Sequence, residues 1–210
     1  MARVSGPLLS VDASGKFGGA MVFGKWKGRN VVRQLVIPKN PKSAKQVGVR
    51  VLTSFLAPAW AALSGVIKAT YDDLALAKAI SAFNAYVGVN HTRWQMGQTP
   101  SQSYPAAEAS AGALITTAPL TGHENYVTAA ITPAANAAIW GVIVYRDLAE
   151  ITAPSWAQAV AVIPREDVTP FTFTDSPLEP GTYHYRFSQF NTDGVEGTVL
   201  ADASVVVPPV

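Results

Sequence analysis

The 210 residues are 49% hydrophobic and 14% charged, a globular composition with enough apolar material for a sizeable core. The absence of Cys excludes a disulfide framework, a thiolate nucleophile and a cysteine zinc site, and three His leave little for a metal centre or a triad. A net charge of +2 conceals a split: residues 1–105 hold 13 Lys and Arg against three acids, and residues 106–210 hold three Arg against 11 acids. Composition therefore favours a binding or structural protein over an enzyme, with no cofactor expected. The charge split predicts two regions with different partners. The basic half would meet an acidic partner, nucleic acid, or the acidic half of a neighbouring copy, and each association would be salt-sensitive.

Residues 1–7 contain Gly6 and Pro7 and no apolar run of signal-peptide length, so no export signal is expected. The charge-free apolar stretch between Arg50 and Lys68 falls below the ~20 residues of a membrane span. No membrane partner is expected. Residues 17–23 and 31–37 are β-rich runs on either side of a Gly- and Lys-containing segment, 24–30, which predicts a β-hairpin. An isolated hairpin is barely stable in water, so another surface must cover its apolar side. Pro38 and Pro41 then stop strand pairing.

Ser43 and Gln46 match a capping box, and Val47, Val51, Leu52, Phe55, Leu56, Ala59, Trp60 and Leu63 recur at helical spacing. Pro58 is expected to end or kink this helix near residues 55–57. A second helix starts after Thr70, where Asp72 and Asp73 favour its positive end. Its stripe is Leu74, Ala77, Ile80, Phe83 and Val87, and Gly88 is the expected stop. Facing stripes predict a helical hairpin. Residues 95–112 are polar and Pro-bearing and precede the charge reversal, so they read as a domain linker. Seven β-rich runs follow, at 113–117, 126–132, 139–145, 157–163, 171–174, 182–190 and 198–207. That spacing is the pattern of an antiparallel sandwich.

Within those runs, Trp140 to Asp147, Phe171 to Asp175, and Leu178 to Asn191 followed by Asp193-Gly194 resemble a fibronectin type III domain over residues 113–208. The resemblance implies a core Trp140. It also implies a corner at Leu178 and Pro180-Gly181-Thr182, where the hydroxyl of Tyr183 or of Tyr185 bonds back to upstream backbone. Tyr183, Tyr185 and Phe187 share one strand face, and His184, Arg186 and Ser188 the other. Such a fold does not name a function.

A second resemblance covers residues 10–95. The stretch Ser14-Gly-Lys-Phe-Gly-Gly-Ala-Met-Val-Phe23, then Val32-Arg33, Pro38-Lys-Asn-Pro41 and Gln46 to Arg50, is similar to a recurrent N-terminal module of tailed-bacteriophage structural proteins. Trp60 and the aromatic series at 82–86 fit the helices that follow in such proteins. The resemblance implies a virion component. Independently of it, Gly15, Gly18 and Gly19 permit unusual backbone angles or close approach. Met21, Phe23 and Trp26 give the ribbon more apolar surface than it can bury on itself.

Rival chemistry finds little support in the residues. Gly15-Lys16 would need Gly at position 10 and Ser or Thr at 17 for a phosphate loop, where Ser10 and Phe17 stand. His91, His123 and His184 have no metal-ligand spacing, and no Ser lies in a G-x-S-x-G elbow. The basic residues with Trp26 and Phe23 between them could grip a nucleic-acid backbone, but no recognised binding signature accompanies them and the acidic half would repel it. The expected fold is an α+β N-terminal module (β-hairpin plus helical hairpin, residues 1–94), a linker (95–112), and an all-β fibronectin- or immunoglobulin-like sandwich (113–210). The expected function is a non-enzymatic bacteriophage virion protein, first a capsid decoration (cement) protein, alternatively a tail or head–tail connector component, and further a nucleic-acid-binding structural protein. Its expected partners are other virion proteins and copies of itself, with weak host-surface sugar contact as a family analogy. Its docking surface is expected at Phe17, Phe23, Trp26, Arg29 and Arg33, with no catalytic, cofactor or metal residue.

Overall fold

The computed structural model describes residues 2–3, 15–17, 20–36, 40, 42–107, 115–133, 139–164 and 170–209. Its contacts divide the chain into two compact units, Met1–Pro41 and Lys42–Val210. The architecture is mixed helix and antiparallel sheet.

The first unit is a four-stranded antiparallel sheet. Its strands are β1 (Ala2–Arg3), β2 (Gly15–Phe17), β3 (Met21–Trp26) and β4 (Arg29–Gln34), in the order β1-β4-β3-β2. The hairpin expected between residues 17–23 and 31–37 is shifted. Its turn is the two residues Lys27 and Gly28, both at positive φ (47° and 75°), not the segment 24–30. Two residues at positive φ give the turn whose twist matches a right-handed strand pair, so the flanking residues extend as strand. Phe17 belongs to a separate strand, paired with Met21. Gly15 has φ 120°, a conformation that favours glycine. Gly18, Gly19, Pro38 and Pro41 lie outside the described residues.

In the second unit the helices are α1 (Ala44–Ala62), α2 (Gly65–Ala69), α3 (Asp72–Lys78) and α4 (Ala82–Gln95). Several local expectations change. Ser43 makes no side-chain cap, so the capping box is absent; Ser64 and Ser81 do cap, accepting from the N–H of Ile67 (3.4 Å) and Asn84 (3.2 Å). Pro58 lies inside α1, where it forfeits only one carbonyl bond near the helix end. The single helix expected from residue 72 breaks at Ala79, which is left-handed at φ 52°. Gly88 does not stop α4, which runs on to Gln95 before Gly97 turns at φ 78°.

The strands of this unit are β5 (Ile115–Thr117), β6 (Leu120–His123), β7 (Tyr126–Pro133), β8 (Ile139–Asp147), β9 (Ala159–Pro164), β10 (Phe171–Asp175), β11 (Gly181–Asn191) and β12 (Ala203–Val207). The seven expected runs each contain a strand, and β6 is additional. One sheet runs β10-β7-β5 with β6 also on β7; the other runs β12-β11-β8-β9. Val127, Ala129, Ile131 and Phe171 of the first sheet pack with Val142, Val144, Tyr185 and Phe187 of the second. This is a sandwich core.

The opposite face of the second sheet is also covered. Ile143, Tyr145, Ala159, Val162 and Phe190 share a core with Leu52, Phe55 and Leu56 of α1 and with Tyr71, Tyr86 and Trp94. Phe55 meets Trp140 and Phe190 edge-on at centroid distances of 5.0 and 5.5 Å. Trp140 is therefore a half-buried residue against the helices. The layers are sheet, sheet, helix, and the helices and sandwich form one unit where two domains divided at 95–112 were expected. Two-sided burial explains the unbroken apolar text from Val142 to Tyr145, because neither face of β8 is left for polar residues.

Within the segment expected as a linker, residues 99–102 are pinned. Ser101 is fully buried, its N–H donating to Asn90 Oδ1 (2.7 Å) and its carbonyl accepting from Asn90 Nδ2 (3.1 Å). Arg93 donates from Nε to the Thr99 carbonyl and from Nη2 to that of Gly194, and Gln102 N–H donates to the Thr192 carbonyl. Burial pushes the Tyr71 phenol, which donates to the Ser101 carbonyl, up to about 12. Among the described residues, no single helix is long and apolar enough to cross a membrane.

Candidate docking interface

Opposed residues of an antiparallel pair project to the same side, and successive residues alternate. The β3–β4 register therefore assigns each residue to a face. Met21, Phe23 and Lys25 share one with Gln34, Val32 and Asn30; Val22, Gly24 and Trp26 share the other with Arg33, Val31 and Arg29. Lys16 stands opposite Val22 and joins the second face. The first side, the apolar face for its Met21, Phe23 and Val32, also carries Lys25, Asn30 and Gln34; the other is cationic around an indole, beside Val22 and Val31.

Neither face is completed by burial. None of residues 15–16, 20–36 and 40 is buried; Trp26 is 61% and Met21 39% exposed, and Val22, Phe23, Val31 and Val32 are half-buried. Over residues 1–41 the sequence carries seven Lys and Arg against Asp12 alone. Lys27 Nζ lies 5.9 Å from the Trp26 ring centroid, a cation–π arrangement that adds charge beside the indole.

The expected docking residues do not form one patch. Phe23 is on the apolar face, whereas Trp26, Arg29 and Arg33 are on the cationic face. Phe17 stands on β2 opposite Met21. Met21, named from the sequence as apolar ribbon surface but not as a docking residue, stands with Val32 on one side, and Lys16 joins the other. Alternation along residues 21–26 identifies them once the turn is fixed at Lys27-Gly28, since a one-residue slip exchanges the faces.

The second unit offers clefts of different chemistry. One of about 480 Å³ lies beside α1 and β8, lined by Phe55, Pro58, Ala59, Trp140 and Val162 among others, and among the described residues no titratable side chain lines it. Another of about 300 Å³ is lined by Trp94, Thr99, Tyr145, Trp156 and Glu196. There the Glu196 carboxylate accepts from Tyr145 Oη (3.0 Å) and from Ser188 Oγ, and burial raises the Tyr145 phenol. His184 Nδ1 lies 2.6 Å from Asp202 Oδ2, with Ser204 opposite His184 in the register. Among the described residues no three His, Asp or Glu are grouped to hold a metal ion.

At the sandwich end where β10 finishes and β11 begins, Tyr183 Oη donates to the Glu179 carbonyl (3.0 Å). Tyr185 Oη instead donates to Asp175 Oδ2 (2.8 Å), which also pairs with Arg146 at 2.7 Å. The corner bond therefore belongs to Tyr183.

No protein-family model matches the chain, and no curated protein matches it. Solved structures similar to part of it include a beta-1,2-glucanase from Parabacteroides distasonis (16% identity, TM-score 0.36, covering 48% of this chain and 13% of that one). The FN1–FN3 domains of chicken CNTN1 are similar at 14% identity and a TM-score of 0.35, over 45% of this chain and 31% of that one. The Clostridium perfringens spore cortex lytic enzyme SleM is similar at 10% identity and a TM-score of 0.34, over 46% and 28%. The chain thus spans less than a third of the length of each.

Proposed function

We propose that this chain is a non-enzymatic structural protein of a bacteriophage virion, a capsid decoration (cement) protein that docks through its N-terminal sheet. The observation that carries the reading is the unfinished state of that sheet. Strands β3 and β4 display Met21, Phe23 and Val32 on one face, and none of residues 15–16, 20–36 and 40 is buried. Exposed apolar sheet surface marks an interaction site. The resemblance of residues 10–95 to tailed-phage modules names the kind of partner. A repeated shell surface suits such a contact, because many weak copies together hold firmly.

The helix-backed sandwich is then the displayed body, of fibronectin type III kind, a reading supported by the Tyr183 corner bond and two packed antiparallel sheets. The docking element is residues 1–41, since the helices share a core with the sandwich. The test compares the full chain with residues 42–210 for rebinding to particles stripped of this protein. The full chain should bind shells and raise their heat resistance, and residues 42–210 should remain free. Equal binding by both overturns the docking assignment. Binding to tails and not to shells assigns the protein to the tail or head–tail connector.

A further inference from the structure

We infer that the cationic face of the N-terminal sheet takes a second copy of this chain, at the acidic end of that copy's sandwich. The inference rests on reading the sheet as a docking element, and concerns the face opposite its apolar one. Lys16, Trp26, Arg29 and Arg33 share this face, and the three cations have no ion-pair partner among the described residues.

The complementary surface lies within the second unit. Strand direction brings the finish of β8, the finish of β10, the start of β11 and the β6–β7 turn to one end. The Leu178 N–H donating to the Asn125 carbonyl (2.8 Å) joins the turn to the β10–β11 loop there. This end holds Glu124, Asp147, Asp175 and Glu179, and Asp202 and Glu150 lie beside it through the His184 and Ile151 contacts, together six of the chain's 14 acids. The three Asp are engaged: Asp175 with Arg146, Asp202 with His184 and the Ile151 N–H, and Asp147 with Gln158. Glu124, Glu150 and Glu179 are exposed, and their carboxylates have no partner among the described residues.

Nearby cations do not neutralise those three Glu. Arg146 is committed to Asp175, and Arg186 donates to the Leu200 and Thr152 carbonyls. Lys42 flanks the end beside Arg146 and Asp147. Among the described residues, one chain therefore carries a sheet face with three cations and a sandwich end with three Glu carboxylates that have no ion-pair partner. A contact between two different patches is heterologous and repeats from copy to copy, forming rings or rows. That geometry suits an array on a particle. Nucleic acid matches the cationic face but leaves the acidic end unused and is repelled by it.

The test is sedimentation of the purified full chain across a concentration series at two salt concentrations. Raising salt from ~0.1 to ~1 M shortens the screening length from ~10 to ~3 Å, so association should weaken about tenfold or more. Two variants separate the surfaces, Arg29→Glu with Arg33→Glu, and Glu124→Lys with Glu179→Lys. Each alone should be monomeric, and an equal mixture should form heterodimers, because each variant supplies the patch the other lacks. Monomeric wild-type protein at both salts overturns the inference, as does a mixture that stays monomeric. A shift of random DNA that Arg29→Glu with Arg33→Glu abolishes, without self-association, reassigns the face to nucleic acid. Incorporation into particles is scored separately. A monomer that still binds shells sinks only this inference, and self-association without particle binding sinks only the virion reading.

Discussion

Replacing Phe55 by Ala tests whether the helices and the sandwich are one cooperative body. Phe55 is 3% exposed on α1 and meets Trp140 and Phe190 of the sheet edge-on. Truncating a buried Phe costs about 3–5 kcal/mol, and two edge contacts place this site toward the upper end of that range. With a urea slope of roughly 2 kcal/mol per molar, the midpoint should fall by about 2 M. Far-ultraviolet circular dichroism reports α1 and α4, and Trp fluorescence reports in part on Trp140 and Trp156 of the sheet side. Both signals should shift together, since helix and sheet residues share a single cluster. Two separated transitions, with only the helical one displaced, would refute the shared core and restore a division near residues 95–112. A total stability of about 5–15 kcal/mol leaves the variant folded enough to measure.

Other perturbations read smaller parts of the same architecture. Gly48→Ala places a Cβ 2.5 Å from the Trp156 carbonyl oxygen, and that backbone contact should cost about 1–3 kcal/mol by denaturant titration. Tyr183→Phe removes the bond to the Glu179 carbonyl and should cost about 1 kcal/mol, whereas a neutral result would show that the corner bond carries no net stability. Burial holds the His91 imidazole below its usual 6.5, so the folded state prefers it neutral. Its contribution is complete above that value and is lost as pH falls through the lower folded value, because the unfolded chain then binds the extra proton. Melting temperature should accordingly fall on acidification, and His91→Gln should flatten that part of the profile. Trp26→Ala, at a residue 61% exposed, should leave the melting of Lys42–Val210 unchanged while weakening self-association.

Much of the sandwich is legible because period-2 text survives where one face packs and the other is wet. Residues 126–133 alternate between half-buried and buried along β7, and turn residues bound that run. The domain division fails for a related reason. β8 is covered on both faces, so its apolar run looks the same whether the second cover is another sheet or a helix. Length cannot separate those cases either. The polar composition of residues 98–104 misleads because polarity is read as exposure. Here it is Asn90, Arg93 and Ser101 satisfying backbone groups inside the fold.

The candidate interface turns on a single offset. Residue types alone mark a cationic, apolar ribbon, and all five docking residues lie on strands of the first sheet. Their grouping depends on where the turn falls. With the reversal spread over 24–30, Phe23 ends a strand, Trp26 lies in the loop that follows, and the two read as one patch. With it confined to Lys27-Gly28, they stand three residues apart on one strand, an odd separation that sends them to opposite sides. The same parity separates Phe23 from Arg33, whose cross-strand neighbour is Val22. One ribbon thereby acquires two chemically distinct surfaces, which the proposed reading assigns to an apolar partner and an acidic one. A docking element with two such faces can join a particle and a neighbouring copy at once, which a single mixed patch cannot.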